Sequence, residues 1–263
     1  MVRIENIDPG REIPGAADGI LSELERLGLH WDGPVLRQGM RREAYRAAME
    51  DLRRRGLLYR CRCSRRLVGG GPYPGTCREL DLPATTPGTW RVRVPESLVA
   101  VEDLVQGTYQ QQLAVECGDF VVWRADDWPT YHLAVVVDDG WQAITEVVRG
   151  ADLLESTPRQ CWLQSCLGLP RPAYAHLPLA LDASGAKLSK DVASTPVRAT
   201  PAGIVLCEAL RFLGVGCPTG LANAAPAEIL TWALAHWSLA KVPPRSQAAA
   251  TGFQGPSAPL QRR

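Results

Sequence analysis

The sequence predicts an α/β domain that is interrupted by a small β-rich, cysteine-bearing insertion and followed by short helices. Three observations predict it. Strand-like and amphipathic helical stretches alternate toward both ends of the chain. Between them, from Tyr59 to Cys77, hydrophobic periodicity gives way to Cys, Gly and Pro. After that excursion the two-residue alternation of strands returns, beginning with Trp90, Val92 and Val94.

The elements follow in order. Val2-Arg3-Ile4 reads as a strand, ended by the Asp8-Pro9-Gly10 turn. A helix then carries Ile20, Leu21, Leu24 and Leu27 on one face and stops at Gly28; a second carries Tyr45, Met49 and Leu52 and stops at Gly56. Both stripes read as core. Gln112 to Val115, Phe120 to Trp123, His132 to Val137 and Ile144 to Val148 read as strands. Thr157-Pro158-Arg159-Gln160 reads as a capping box with proline at the first helical position, opening a helix that runs to Leu167 and closes at Gly168. Leu177 to Leu181 reads as a strand leading into the Asp182-Ala183-Ser184-Gly185 turn. Helices are expected over Pro201 to Leu213 and from Pro226 to about His236. Beyond Pro243-Pro244 the Ala, Gly, Pro, Ser and Gln composition reads as a disordered tail. The expected organisation is therefore 1–58 and 119–195 as two parts of one α/β domain, 59–118 as the insertion, 196–243 as a helical region and 244–263 as the tail.

Composition narrows the function classes. The longest apolar stretch, around Leu133 to Val137, is far too short to span a bilayer, and the charged, alternating N-terminus is not a secretory signal. A cytoplasmic protein is expected, with its eight cysteines reduced or metal-bound rather than paired. A net charge of +1 does not fit a protein that grips nucleic acid by phosphates alone, and no DNA or membrane partner is expected. The arginine-rich run Arg53, Arg54, Arg55, Arg60, Arg62, Arg65 and Arg66 fits a solvated helix face and an RNA contact equally. Twenty-six arginines stand against three lysines, and two of those, Lys187 and Lys190, fall in one four-residue stretch. A compact ammonium is wanted there, on a loop where Lys190 can neutralise charge on phosphate oxygens.

Two further groupings carry chemistry. Cys61-x-Cys63 followed by Tyr73-x-x-x-Cys77 places thiols around a Gly/Pro-rich loop, as a structural zinc requires; three free thiols fit the spacing equally. Three cysteines leave a fourth position for Tyr73 or a water. In Glu146-Val147-Val148-Arg149-Gly150, a strand ends in an arginine able to fork a carboxylate, with Gly150 turning the backbone and Tyr131 offering a nearby hydroxyl. Taken alone, Arg149 fits a surface ion pair as well. Phosphate-loop, dinucleotide-fingerprint and H-E-x-x-H motifs are absent from the sequence.

Taken together, V-R-I-E-N-I-D-P, G-L-H-W-D-G, Y-R-C-R-C, Y-H-L-A-V-V-V-D-D, E-V-V-R-G-A-D-L and A-K-L-S-K resemble, in order, the catalytic domain of class I glutamyl-tRNA synthetases. The cysteine arrangement and the short region after the lysine pair are similar to the subfamily that modifies queuosine in tRNA(Asp). The resemblance implies a Rossmann-like fold, ATP (with Mg2+) and L-glutamate as substrates, one Zn2+ per chain, and a monomer. It implies that Glu5 holds the glutamate amino group, that Tyr131 and Arg149 orient its carboxylates, and that Lys187 and Lys190 serve ATP, Lys190 stabilising the α-phosphate. It implies Cys61, Cys63, Cys77 and Tyr73 as zinc ligands. Two alternatives stay open: a non-catalytic zinc- or RNA-binding remnant, and a fragment of an enzyme charging tRNA(Glu). The chain departs from the family in having Asn6 where Asp is usual and Asp191 where a basic or amide residue is common. It also lacks an H-I-G-H-like motif, so a strand and helix that family members carry ahead of Val2 are expected to be missing.

Overall fold

The computed structural model describes residues 1–181, 197–245 and 247–249. In chain order the elements are β1 (Arg3–Ile4), α1 (Ala16–Arg26), β2 (Leu36–Arg37), α2 (Arg42–Arg54), β3 (Leu58–Cys61), α3 (Arg65–Val68), β4 (Thr89–Val92), β5 (Val99–Asp103), β6 (Gly107–Gln111), α4 (Leu113–Glu116) and β7 (Phe120–Trp123). They continue with α5 (Tyr131–Trp141), β8 (Glu146–Gly150), α6 (Thr157–Leu167), β9 (Ala173–Leu177), β10 (Leu179–Leu181), α7 (Ala202–Phe212), α8 (Pro226–His236) and β11 (Gln247–Ala249). None of these helices is long and apolar enough to cross a membrane.

The strands form separate small sheets. A four-stranded sheet runs β6-β5-β9-β8, parallel where β9 meets β5 and β8 and antiparallel between β5 and β6. A three-stranded antiparallel sheet runs β3-β4-β7. Strands β1 and β2 pair in parallel, as do β10 and β11. Both larger sheets cross the expected boundaries: β5 of the insertion joins β9, and β7 completes the sheet begun by β3. Among the described residues β1 and β8 each have a single strand neighbour, and Val148 of β8 is 55% exposed. Arg3 instead anchors β1 to α5, through Asp139 at 2.7 Å and Gln142 at 2.8 Å.

The core is built by α2, α5 and α6 against β4, β5 and β7, with Tyr45, Leu52, Val92, Val122, Leu133 and Leu163 fully buried. The α2 stripe behaves as expected. The α1 stripe does not: Ile20 is 53% exposed, Leu21 and Leu24 are half-buried, and only Leu27 packs, against the Leu206–Ile229 cluster of α7 and α8.

Other expectations also change. His132 to Val137 is helix, not strand, and so is most of Gln112 to Val115. A short apolar run looks alike as a buried strand and a buried helix, and α5 is buried on most sides. The capping box is not formed: Ser156 occupies the N-cap without a side-chain bond, and Thr157 lies inside the helix with its hydroxyl used elsewhere. Gly168 does close the helix, left-handed at φ 66°. Gly150 makes no tight turn. It is extended at φ −69°, and a Cβ there would meet Asp152 at 2.7 Å and Leu179 at 3.2 Å, so close approach explains the glycine. Cys207 and Cys217, expected to be unpaired like the other cysteines, are joined with Cα atoms 5.6 Å apart, because the turn after α7 folds back on it. In the expected tail, Gln247–Ala249 pairs with β10; residues 250–263, Lys187, Lys190 and the Asp182–Gly185 turn lie outside the described residues.

Candidate functional site

The structure gathers Arg149, Tyr131 and Glu5 at one end of the parallel strands β8 and β9. Arg149 is paired in register with His176, so the two side chains project from the same face of neighbouring strands. Arg149 Nε donates to His176 Nε2 at 3.0 Å and Nη2 donates to Thr157 Oγ1 at 2.8 Å. Nη1 lies 3.4 Å from the Tyr131 hydroxyl, and the guanidinium carbon is 5.5 Å from the Tyr174 ring. Tyr131 arrives as the first residue of α5, whose start is set by extended Thr130. Burial pushes its phenol up, with Arg149 opposing. Gln160 of α6 sits beside that hydroxyl, and its Nε2 is buried with no hydrogen-bond partner among the described residues.

Glu5 follows β1. Burial raises its carboxyl, with Arg3 pulling it down, Asp139 and Asp138 pushing it up and Arg149 again pulling it down. Its nearest ion-pair partner is Arg3, at 3.9 Å. The neighbouring Asn6 accepts a hydrogen bond from the Gly39 N–H at 2.9 Å, which an amide serves as well as a carboxylate.

Sequence reading missed the groups behind Arg149. His176 is fully buried and its Nδ1 is 2.5 Å from Asp103 Oδ2. Asp103 also accepts from the backbone N–H groups of Val105, Gln106 and His176, at 3.0, 2.8 and 3.1 Å. Burial would raise the Asp103 carboxyl, but the Gln106 N–H and then His176 bring it below its usual range. Burial lowers the His176 imidazole, against the pull of Asp103, and an Nε2 that accepts the Arg149 Nε–H carries no proton of its own. The one available signal was a polar residue at a strand position that alternation assigns to the interior.

The second grouping is the thiol cluster. The sulfurs of Cys61, Cys63 and Cys77 all lie within 4.8 Å of one another, with Cys63 and Cys77 at 3.5 Å. The Tyr73 hydroxyl is 3.3 Å from Cys61 Sγ and 3.8 Å from Cys63 Sγ, and it accepts from the Cys77 N–H at 2.8 Å. Burial would raise the Cys61 thiol, but its hydrogen bonds with Tyr73 and the Cys63 backbone, with Arg91, bring it to about 7. Three converging sulfurs, one poised to ionise, form a group that can hold a metal ion.

Of the arginine run, Arg53, Arg54 and Arg55 form local ion pairs with Glu50 and Asp51, as a solvated helix face does. Arg60 differs, stacking 4.8 Å from the Trp90 ring and donating to Thr86 O. It lines a cavity of about 550 Å³ with Arg53, Tyr59, Arg78 and Arg93, which shares no residue with the Arg149 site.

Comparison with known proteins adds three findings. The family described as "tRNA synthetases class I (E and Q), catalytic domain" matches residues 1–67 and 82–200. A glutamyl-Q tRNA(Asp) synthetase from Pseudomonas aeruginosa is 49% identical over 245 residues, 92% of this chain and 83% of that one; its counterpart from Dechloromonas aromatica is 49% identical over 257 residues, 94% and 85%. The crystal structure of a glutamate tRNA ligase from Elizabethkingia meningosepticum in complex with its amino acid superposes with a TM-score of 0.76 at 22% identity. That match covers 96% of this chain but spans only 60% of the solved one.

Proposed function

This chain belongs to the catalytic-domain family of class I tRNA synthetases of the E and Q type, and from that premise we propose that it activates L-glutamate with ATP and passes the glutamyl group to the queuosine base in the anticodon of tRNA(Asp). It is a ligase of the aminoacyl-tRNA synthetase type. In the first step a glutamate carboxylate oxygen attacks the α-phosphorus and pyrophosphate leaves. In the second a hydroxyl of the queuosine ring attacks the adenylate carbonyl and AMP leaves.

The observation that carries this reading is the outer end of Arg149, which among the described residues meets the Tyr131 hydroxyl at 3.4 Å and no carboxylate. Its Nε/Nη2 edge is occupied by His176 and Thr157, which leaves the Nη1/Nη2 end to meet a carboxylate in two parallel hydrogen bonds. Tyr131, flanking that end, orients the same group, and Glu5 takes the glutamate ammonium. Lys187 and Lys190 serve ATP, and Lys190 stabilises charge on the α-phosphate. Cys61, Cys63 and Cys77 with Tyr73 hold a zinc ion, which fixes the 61–77 loop in place of an apolar core. The identity to two glutamyl-Q tRNA(Asp) synthetases supports queuosine-bearing tRNA(Asp) as acceptor. We place the protein in the cytoplasm as a monomer.

Glutamate-dependent ATP–pyrophosphate exchange without tRNA tests the first step, and transfer of labelled glutamate to queuosine-bearing tRNA(Asp) tests the second. Exchange with glutamate followed by labelling of tRNA(Asp) is the expected result. Labelling of tRNA(Glu) ends instead would overturn the acceptor, and zinc or RNA binding without exchange would overturn the enzyme.

A further inference from the structure

We infer that Asp103 and His176 are positioning residues that lock the Arg149 guanidinium so that only its outer end can meet a substrate carboxylate. The inference rests on the reading of Arg149 as the carboxylate-binding residue and extends it to two groups that touch no substrate.

The argument is one of hydrogen-bond capacity. A neutral imidazole has one donor and one acceptor nitrogen, and whatever holds one decides the other. Asp103 is an anion by construction, since backbone N–H groups of Val105, Gln106 and His176 all point at it. At 2.5 Å it takes the Nδ1 proton of His176 as donor, which makes Nε2 the acceptor. Two donors face the single Nε2 lone pair, the Arg149 Nε–H at 3.0 Å and the Thr157 hydroxyl at 3.1 Å, and the Arg149 N–H takes it because Thr157 has a second acceptor in Leu153 O. The Thr157 hydroxyl, accepting from Arg149 Nη2, then directs its own proton to Leu153 O at 3.1 Å. Every donor along the inner edge of the guanidinium is thereby spent on neutral partners. Among the described residues no carboxylate pairs with it, and its outer fork is held in one plane.

A carboxylate in place of His176 would orient Arg149 equally well but neutralise it. A mobile Arg149 would keep its charge but lose the bidentate geometry. The buried Asp103–His176 pair satisfies both requirements, because the anion sits one ring away from the cation.

The test uses the intact chain, the variants Asp103→Asn, His176→Leu and His176→Gln, and two readouts. Nitrogen NMR of the imidazole, assigned by the signal lost in His176→Gln, should show His176 neutral and protonated on Nδ1 near neutral pH. A ring protonated on Nε2 or on both nitrogens overturns the inference whatever glutamate does. Calorimetry should show Asp103→Asn and His176→Leu weakening glutamate by roughly tenfold to a hundredfold while ATP affinity holds. His176→Gln, whose amide oxygen reaches the place of Nε2, should recover most of the loss. Unchanged glutamate affinity in the first two variants overturns the positioning role and leaves Arg149 as carboxylate ligand; equal losses for glutamate and ATP overturn it in favour of a general structural role. A wild-type chain that binds ATP but no glutamate overturns the Arg149 reading itself, and the inference with it.

Discussion

Arg149 Nε rests 3.0 Å from His176 Nε2 across two parallel strands in matched register. A cation seated on a neutral base keeps its charge for an incoming anion, which a cation seated on a carboxylate does not.

Replacing Arg149 by Lys keeps the charge and removes the fork. Glutamate use in ATP–pyrophosphate exchange should fall by about tenfold or more, and further in Arg149→Ala, with the KM for ATP little changed. Matching losses for both substrates would refute a carboxylate role.

Metal analysis of the purified protein should find about one zinc per chain, lost in the double variant Cys61→Ser, Cys63→Ser together with part of the thermal stability. A folded, metal-free wild type would rule the site out.

Asp138 is fully buried and accepts from Gln38 at 2.8 Å, Arg41 at 2.8 Å and Tyr45 at 2.7 Å, tying the start of α2 to α5. Arg41→Met leaves that carboxylate without its cation and should cost about 3 kcal/mol in urea unfolding. Combining it with Asp138→Leu should restore part of the loss, since the stranded charge is then gone; an additive result would argue against the pair.

Burial, with Arg159 and Arg149 nearby, holds the His132 imidazole down at about 4. An unfolded histidine titrates near 6.5. Between those values the unfolded chain binds a proton that the folded chain does not. The contribution is therefore complete above about pH 6.5 and is lost as pH falls toward 4, about 2 kcal/mol of it by pH 5. Glu5 and Asp139, both raised by burial, act with the opposite sign, so the informative quantity is a difference. Between pH 7.5 and 5 the urea midpoint of His132→Phe should drop less than that of wild type, and parallel curves would contradict the assignment.

What the sequence displayed was whatever periodicity could display. The stripes of α2 and the proline-to-glycine span of α6 were legible because one face of each segment differs from the other or because its ends carry backbone constraints. Helix α5 was not: Leu133 to Val136 are all buried, and a segment surrounded by core carries no period to read. The exposed stripe of α1 shows the converse, a helical pattern without a matching burial. In the site, Arg149 and Tyr131 stood out through the motifs they end or begin. His176 and Asp103 did not, because their partnership exists only through the pairing of β5 with β9 and β9 with β8. The thiol cluster was legible as spacing, and the chain folding added the convergence of three sulfurs.

Strand β5 belongs by sequence to the cysteine-bearing insertion, yet Asp103 at its end underlies the Arg149 site. The insertion is consequently not an interchangeable cassette. Grafting one from another enzyme, or trimming this one to its cysteine loop, would remove a strand from the sheet that carries Arg149. Its sequence is thus constrained from two directions at once, by the thiol cluster at one end and by the Asp103–His176–Arg149 chain at the other.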